Sequence, residues 1–410
     1  MKRRTLALGL LVSMIGLGLL AGCVNMALPL VDERGAMTGQ APASLSPFDA
    51  RDERQRAQAK RYFETSVYGA WPGAASVNIS QREVLDADAY QGRAVLERLT
   101  IVADRGDVTI SFPLFLATPK AANAPAPLFV MQSFCGERAV FNRRDIAPPS
   151  APYPSFCDNQ MAQPAIEYVF GRYIGVKPVA DFIDQGVAFA SFYAGEVVPD
   201  EADAGRAALV AHFSDVTPAP GAIMAWAWAF SLARQALDSD PRLDARRTTV
   251  YGHSRHAKAA LLAAAFDPEI DRAIAHQSGR GGASLNQSET GESIAQITTS
   301  FPHWFNPAFA EQDPRNADSK FDQHALIALV APRALLLGNG RRDTWSDPGS
   351  AWIAARMADT AYEAYGSRGL DQETLGAANM DADLIYYLRN GRHGETAEDF
   401  RRFVAFSARP

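Results

Sequence analysis

The stretch Val250-Tyr251-Gly252-His253-Ser254-Arg255-His256-Ala257-Lys258 decides how this chain is read. Before it runs Arg246-Arg247-Thr248-Thr249-Val250-Tyr251, β-branched and suited to a short buried strand. After it runs Ala259-Ala260-Leu261-Leu262-Ala263-Ala264-Ala265-Phe266, an apolar series of strong helix formers. Between them, Gly252-His253-Ser254 sits where a strand must turn sharply into a helix. Such a turn exposes the serine hydroxyl and places it at a helix N-terminus, whose backbone N–H groups favour developing negative charge. Gly252 supplies the small residue that the tight turn needs on one flank. On the other flank, two residues past the serine, a second glycine is usual and His256 stands instead. Gly-x-Ser alone is a weak signal, and the strand–turn–helix setting is what gives it weight.

Strand-like and helix-like runs alternate on both sides of this turn. Upstream, strands are expected over Arg82–Leu85, Arg93–Ala103 and Val108–Thr118, as an N-terminal antiparallel pair feeding a sheet, then Leu128–Met131 and Val187–Phe192. Helices are expected over Asp49–Phe63 (started by Ser46-Pro47), Val179–Gln185 (after Pro178) and Gly221–Leu237. Residues 137–165, rich in Pro, Arg, Asn and Ser, suggest a long surface excursion, and loops of that length are usually functional. Downstream come a strand over Ala273–Ala275, a helix over Ala325–Val330, a strand over Ala334–Gly338, a helix over Trp352–Tyr365, a strand over Leu384–Leu388 and a closing helix over Thr396–Phe406. The alternation implies an α/β fold: a doubly wound, mostly parallel sheet with helices on both faces. No internal repeat and no second domain is visible in residues 48–410.

With 410 residues, 47% hydrophobic and 21% charged, the chain can bury a large core. A formal net charge of −6 argues against a nucleic-acid partner. The N-terminus reads as a lipoprotein signal over residues 1–22. Lys2, Arg3 and Arg4 precede the apolar run Leu6–Leu20, and Leu20-Ala21-Gly22-Cys23 has the form of a lipobox. On that reading Cys23 is lipidated and residues 23–47 are a tether from the membrane. Val24, where an aspartate would resemble an inner-membrane retention signal, favours the outer membrane, with the domain in the periplasm or at the cell surface. Cys135 and Cys157 then lie in an oxidising compartment, either as a disulfide or as two free buried thiols.

Chemistry in such sheets gathers on loops beyond the strand C-termini. Three of those loops carry Ser254, then an aspartate, then His393, which is the chain order of α/β-hydrolase triads. A serine needs a histidine base and an acid to orient that base. Of the seven histidines, His253 and His256 adjoin the serine and His212, His276, His303 and His324 lie in less exposed-looking settings. Only His393 sits on a Gly-flanked loop after the last strand. For the acid, Asp343 follows its strand closely, and Asp347, before Pro348, is the rival. No metal-ligand cluster is visible, and no metal or organic cofactor is expected.

Taken together, several stretches resemble the bacterial glucuronoyl esterases, carbohydrate esterase family fifteen. They are Tyr68-Gly69, Ala225-Trp226-Ala227-Trp228, Gly252-His253-Ser254-Arg255 with Lys258, Ser278-Gly279 with Gly281-Gly282, Phe301-Pro302-His303-Trp304-Phe305, Phe321-Asp322-Gln323-His324, Ala331-Pro332-Arg333, and Asp343-x-Trp345 with Asp347-Pro348. The resemblance implies an α/β-hydrolase fold with Ser254 as nucleophile, His393 as base and Arg255 as oxyanion stabiliser. It implies sugar contacts from Lys258, Glu292 and Trp345, with Trp304 either in the sugar site or in the core. Two positions depart from the pattern. Many relatives carry the triad acid as a glutamate where Gln277 stands here, so the acid falls to Asp343 and Gln277 is left as a substrate-site residue. The glycine before the lysine is Ala257.

The function implied is a monomeric serine esterase acting on esters of glucuronic or 4-O-methylglucuronic acid, as in links between xylan and lignin alcohols. Two rivals stand beside it. One is a carboxylesterase for other carbohydrate or phenolic esters. The other, prompted by Gln277 and Ala257, is a non-catalytic carbohydrate-binding lipoprotein on the same fold.

Overall fold

In the computed structural model, the strand-like runs pair into one mixed sheet of nine strands among the described residues, which are 41–42, 45–46, 48–121, 124–154, 157, 163–312, 320–372, 374–376 and 378–410. The elements in order are α1 (Glu53–Phe63), β1 (Ser76–Asp88), β2 (Ala94–Arg105), β3 (Val108–Pro119), β4 (Ala126–Ser133), α2 (Glu137–Val140), α3 (Gln163–Phe170), α4 (Val179–Asp184) and β5 (Ala188–Tyr193). Then follow α5 (Ala202–Phe213), α6 (Ala222–Leu237), β6 (Leu243–His253), α7 (Arg255–Phe266), β7 (Arg272–His276), α8 (Ile294–Ser300), α9 (Gln323–Ala328), β8 (Ala334–Gly340), α10 (Pro348–Ala364), β9 (Leu384–Arg389) and α11 (Ala397–Ser407).

The strand order is β1-β2-β3-β5-β4-β6-β7-β8-β9. The first three strands and β5 pair antiparallel, and β5-β4-β6-β7-β8-β9 run parallel. This is the α/β-hydrolase architecture. Parallel strands are buried on both faces, which explains the unbroken apolar runs such as Leu335-Leu336-Leu337. One face carries a core that includes α1, α6, α7 and α10; the other is covered by α4 and α11. Helix α6 is buried nearly all round, and its two indole N–H groups are satisfied by the carbonyls of Val198 (from Trp226, 2.9 Å) and Gly73 (from Trp228, 2.8 Å).

Several expectations need correction. The antiparallel part is three long strands rather than a pair, because β1 is extended and largely solvent-facing and so shows little apolar alternation. Helix α1 starts at Glu53, capped by the Asp52 carboxylate, and not at Ser46-Pro47. The end of the expected tether, residues 23–47, packs on the domain, since Leu45 is buried in the core and Ser46 O lies 3.2 Å from His324 Nε2. The expected surface excursion over 137–165 is in part a packing layer, with Glu137, Val140 and Ile146 buried. Helix α10 begins at Pro348, four residues early, and α5 and α8 are additional. The signal segment and Cys23 lie outside the described residues. Among the described residues, no helix is long and apolar enough to cross a membrane.

Candidate active site

The β6–α7 turn is as tight as its residues imply. Ser254 has φ 57° and ψ −123°, a conformation that L-residues adopt only when the surroundings enforce it. A β-carbon on Gly252 would overlap the backbone of His256 and Ala257, so glycine is required there. His256 is tolerated because its ring turns into the core against Phe134 (4.5 Å between ring centroids) and Trp226 (5.6 Å). The methyl of Ala257 is likewise fully buried. The Ser254 N–H donates to the carbonyl of His276 at the end of β7 (2.9 Å), which ties the serine to its neighbouring strand.

His393 follows β9, and its Nδ1 lies 2.7 Å from Asp343 Oδ2. Burial works to raise the Asp343 carboxyl; the charge and hydrogen bond of His393, with bonds from Ser346, overcome it and hold the carboxyl below its ordinary value. Asp347 is engaged elsewhere. Its carboxylate accepts from Ser288 Oγ (2.6 Å), Thr290 Oγ1 (2.9 Å) and the Ser350 N–H that starts α10 (3.2 Å). The geometry therefore pairs the histidine with Asp343 and leaves Asp347 to shape the loop.

Arg255, the first residue of α7, is bonded through Nη1 to Asp200. Its guanidinium lies over the rings of Trp304 (4.7 Å), Phe301 (5.1 Å) and Phe134 (5.9 Å). Asp200 also accepts from Trp304 Nε1 (2.7 Å) and contacts His303 Nε2 (3.2 Å). Burial pushes the Asp200 carboxyl up, but the His303 contact, the Arg255 charge and the Trp304 bond outweigh it and hold it far below the ordinary carboxylate range. Trp304 is thus a buried platform under Arg255, stacked on Phe301, and not an open sugar contact.

Lys258 is buried one turn along α7 and donates to the carbonyls of Ser278 and Arg280 (2.7 Å to the latter). Burial, opposed by the charge of Glu292, lowers its ammonium to about 8. Glu292 is half-buried, raised above its ordinary value by burial against the Lys258 charge and a side-chain bond from Trp345. Trp345 is 55% exposed, so its ring is free to meet a ligand. Lys258, Glu292 and Trp345 therefore form one cluster, linked through the Glu292 carboxylate. Gln277 does not join them: it is buried beneath the His393 loop, with both ends of its amide taken by that loop.

Ser254, Arg255 and His393 line a cavity of about 410 Å³ whose further wall is Phe134, Ile166, Phe170 and Ile174. Cys135 lines it too and is disulfide-bonded to Cys157, with 5.3 Å between their α-carbons, which closes the alternative left open by the sequence. The wall is fastened to the loop that carries His393. Glu395 N donates to Phe170 O (2.7 Å), Tyr173 N donates to Glu395 O (3.1 Å), and Lys177 Nζ donates to the Glu395 carboxylate (2.8 Å). Among the described residues, no group of three or more His, Cys, Asp and Glu side chains could hold a metal ion.

Asp200, Arg280 and Glu395 escaped the sequence reading. Arg280 is buried and donates to the carbonyls of Glu292 (2.7 Å), Thr290 (2.7 Å) and Ser288 (3.0 Å), which sets the loop presenting Glu292. Asp322 supports the same loop by accepting from the N–H groups of Asn286 (2.8 Å) and Gln287 (2.9 Å). An arginine set among Gly279, Gly281 and Gly282 was the available signal for this scaffold.

Known proteins share this arrangement at several levels. The family model for fungal glucuronyl esterases matches residues 155–366, more than half of the chain. Carbohydrate esterase MZ0003, from an unknown prokaryotic organism, is 28% identical over 364 residues, covering 87% of this chain and 84% of its own. 4-O-methyl-glucuronoyl methylesterase 1 of Phanerochaete chrysosporium is 35% identical over 154 residues, a match spanning 35% of this chain and 33% of the fungal protein. In three dimensions, a promiscuous CE15 esterase from a marine bacterial metagenome superposes with a TM-score of 0.74 at 26% identity, covering 93% of this chain and 98% of that one. With the serine turn, the Asp343–His393 pair and the matched family region all on one α/β-hydrolase sheet, the chain belongs to the glucuronoyl esterase family.

Proposed function

We propose that this protein is a serine carboxylesterase that hydrolyses esters of glucuronic and 4-O-methylglucuronic acid, of the kind that join glucuronoxylan to lignin alcohols. The observation that carries the reading is a single cavity lined by Ser254, His393 and Arg255, with Asp343 on the far nitrogen of the histidine.

The reaction follows from those positions. Ser254 Oγ attacks the ester carbonyl carbon while His393 Nε2 takes its proton. Asp343 holds Nδ1–H and stabilises the imidazolium. The tetrahedral oxyanion is met by Arg255 and by N–H groups at the start of α7. Asp200 and the aromatic platform fix the guanidinium, so little reorganisation is needed as charge develops. Collapse breaks the bond to the alcohol, which leaves with the proton from His393. Water then gives its proton to His393 and attacks the acyl-enzyme, releasing the uronic acid and restoring Ser254. Lys258, Glu292 and the exposed face of Trp345 supply charge, an acceptor and an apolar surface suited to a sugar ring.

A broader carboxylesterase activity is favoured by one observation, the apolar wall of Phe134, Ile166, Phe170 and Ile174, which takes apolar alcohols without demanding a hydrogen bond. A binding protein without catalysis has no use for the Asp343–His393 bond. We further propose that Cys23 carries lipid, that the domain works as a monomer, and that it faces the periplasm or cell exterior from the outer membrane; the basic, apolar and small-residue order of residues 2–23 supports the lipid anchor.

The test compares benzyl glucuronate with 4-nitrophenyl acetate on purified protein and its Ser254→Ala variant. Preference for the glucuronate, lost in the variant, is the expected outcome. Cleavage of acetate alone shifts the reading to the general esterase, and no serine-dependent turnover of either ester removes it.

A further inference from the structure

We propose that Gln277 is a positioning residue that fixes His393 by clamping the backbone on both sides of it; the proposal rests on Ser254 and His393 acting as nucleophile and base. The Gln277 side chain donates from Nε2 to the carbonyl of Arg392 (2.9 Å) and accepts through Oε1 from the N–H of Gly394 (2.8 Å). The two bonds bracket the histidine in the chain. They also have opposite polarity: the loop offers one acceptor and one donor. A neutral amide matches both, whereas an ionised carboxylate matches only the Gly394 N–H and opposes the Arg392 oxygen.

The rest of the environment is built around that amide. Gln277 is buried at the end of β7 with φ 52°, a costly conformation for a residue with a β-carbon. Its own N–H is held by Gly338 O (2.7 Å). A β-carbon on Gly340 would press on the Gln277 amide nitrogen and on the carbonyls of Gly391 and Arg392, so β8 leaves a cradle for the clamp. Arg389 reinforces the loop from β9, donating to the carbonyls of Arg392 (2.9 Å) and Gly394 (2.7 Å). The residue before Gln277 completes the geometry, because the His276 carbonyl accepts the Ser254 N–H (2.9 Å). Two consecutive residues at one strand end therefore hold the nucleophile and the base in a fixed relation.

The test reads Ser254 activation directly, by the rate at which a fluorophosphonate labels the serine, with kcat and KM for benzyl glucuronate beside it. Gln277→Met removes both bonds at similar length, and Gln277→Glu keeps only the acceptor. Labelling and kcat should fall about 10- to 100-fold in the methionine variant, with KM within about twofold, since a small displacement of a reacting group carries losses of that order. The glutamate variant should fall between it and the wild type. A methionine variant with wild-type labelling and kcat, or a glutamate variant faster than the wild type, would overturn the proposal. If the methionine variant does not fold, the glutamate variant must still label more slowly than the wild type. Wild-type protein that is not labelled at all instead defeats the serine-hydrolase reading. Labelling without glucuronate cleavage defeats only the substrate assignment and leaves the Gln277 comparison readable.

Discussion

His393 Nδ1 and Asp343 Oδ2 lie 2.7 Å apart although 50 residues separate them in the chain, and Asp347, one turn beyond Asp343, spends its carboxylate on Ser288, Thr290 and the start of α10. The two aspartates should therefore separate by phenotype. Asp343→Asn should lower kcat on the order of 10³- to 10⁴-fold with the fold intact. Asp347→Ala should lose about 1 kcal/mol of stability through the lost cap, with a far smaller loss of kcat. Turnover and thermal melting of both variants check this, and the reverse pattern would reassign the acid.

Arg255 and Asp200 should behave as a coupled pair. Arg255→Met removes the oxyanion charge, and kcat should fall about 10²- to 10³-fold with KM changed much less. Asp200→Asn leaves the guanidinium on its aromatic platform but unpaired, so a smaller loss of roughly 10-fold is expected. In the double variant the two losses should fall well short of adding, which a double-mutant cycle on kcat measures.

Lys258 gives a pH signature in binding. Below about 8 its ammonium has three protons, of which two are taken by the Ser278 and Arg280 carbonyls. Above that pH the neutral amine has two, so the donor and the charge left for a ligand are lost together. KM for a glucuronate ester should rise as pH passes about 8, and in Lys258→Met it should be higher and flat over the same range. A wild-type KM that stays level from pH 7 to 9.5 counts against contact with Lys258.

Glu137 gives a second signature, in stability. Burial raises its carboxyl to about 7, against hydrogen bonds from Ser133 (2.8 Å) and Ser191 (3.3 Å) that favour the ionised form. The folded value stands above the unfolded one, so the stabilisation is complete below the unfolded value and disappears as pH rises through about 7. Glu137→Gln keeps a neutral acceptor and cannot ionise. Its melting temperature relative to wild type should climb between pH 5 and 8, and a constant difference would show that Glu137 does not titrate there.

The parts of the fold that were legible are those whose burial is periodic or complete. The β6–α7 turn, the runs that became β8 and β9, and the Gly-flanked loop of His393 each carry a local pattern that tertiary contacts did not override. Helix α5 was not legible because it buries only Gly205 and Phe213 and so lacks an apolar stripe. Helix α8 had a readable sign in the Ser293 and Gln296 capping box, though it is too short for periodicity to help. In the site, loop order pointed to Ser254 and His393, which line one cavity in the structure, and the pairing of His393 with Asp343 rather than Asp347 is read from the coordinates, because both aspartates follow the same strand. Gln277 misled for a similar reason: chain position shows which strand end a residue occupies, and only its partners show whether it faces a ligand or another loop. Asp200 had no local pattern of its own, since its role comes from Arg255, His303 and Trp304 arriving from distant elements.

The backbone bonds between Phe170, Tyr173 and Glu395 join the wall of the cavity to the loop that carries His393. Substrate range and turnover are therefore not independently evolvable along this seam. Substitutions of the Ile166, Phe170 or Ile174 side chains can change which alcohols fit and leave the backbone ladder in place. Insertions or deletions between residues 163 and 177 pull on Glu395, and through it on His393 two residues away. Divergence at this wall is thus channelled into side-chain exchange at constant loop length, and a grafted wall from another esterase would need its own partner for Glu395 to keep the enzyme in working order.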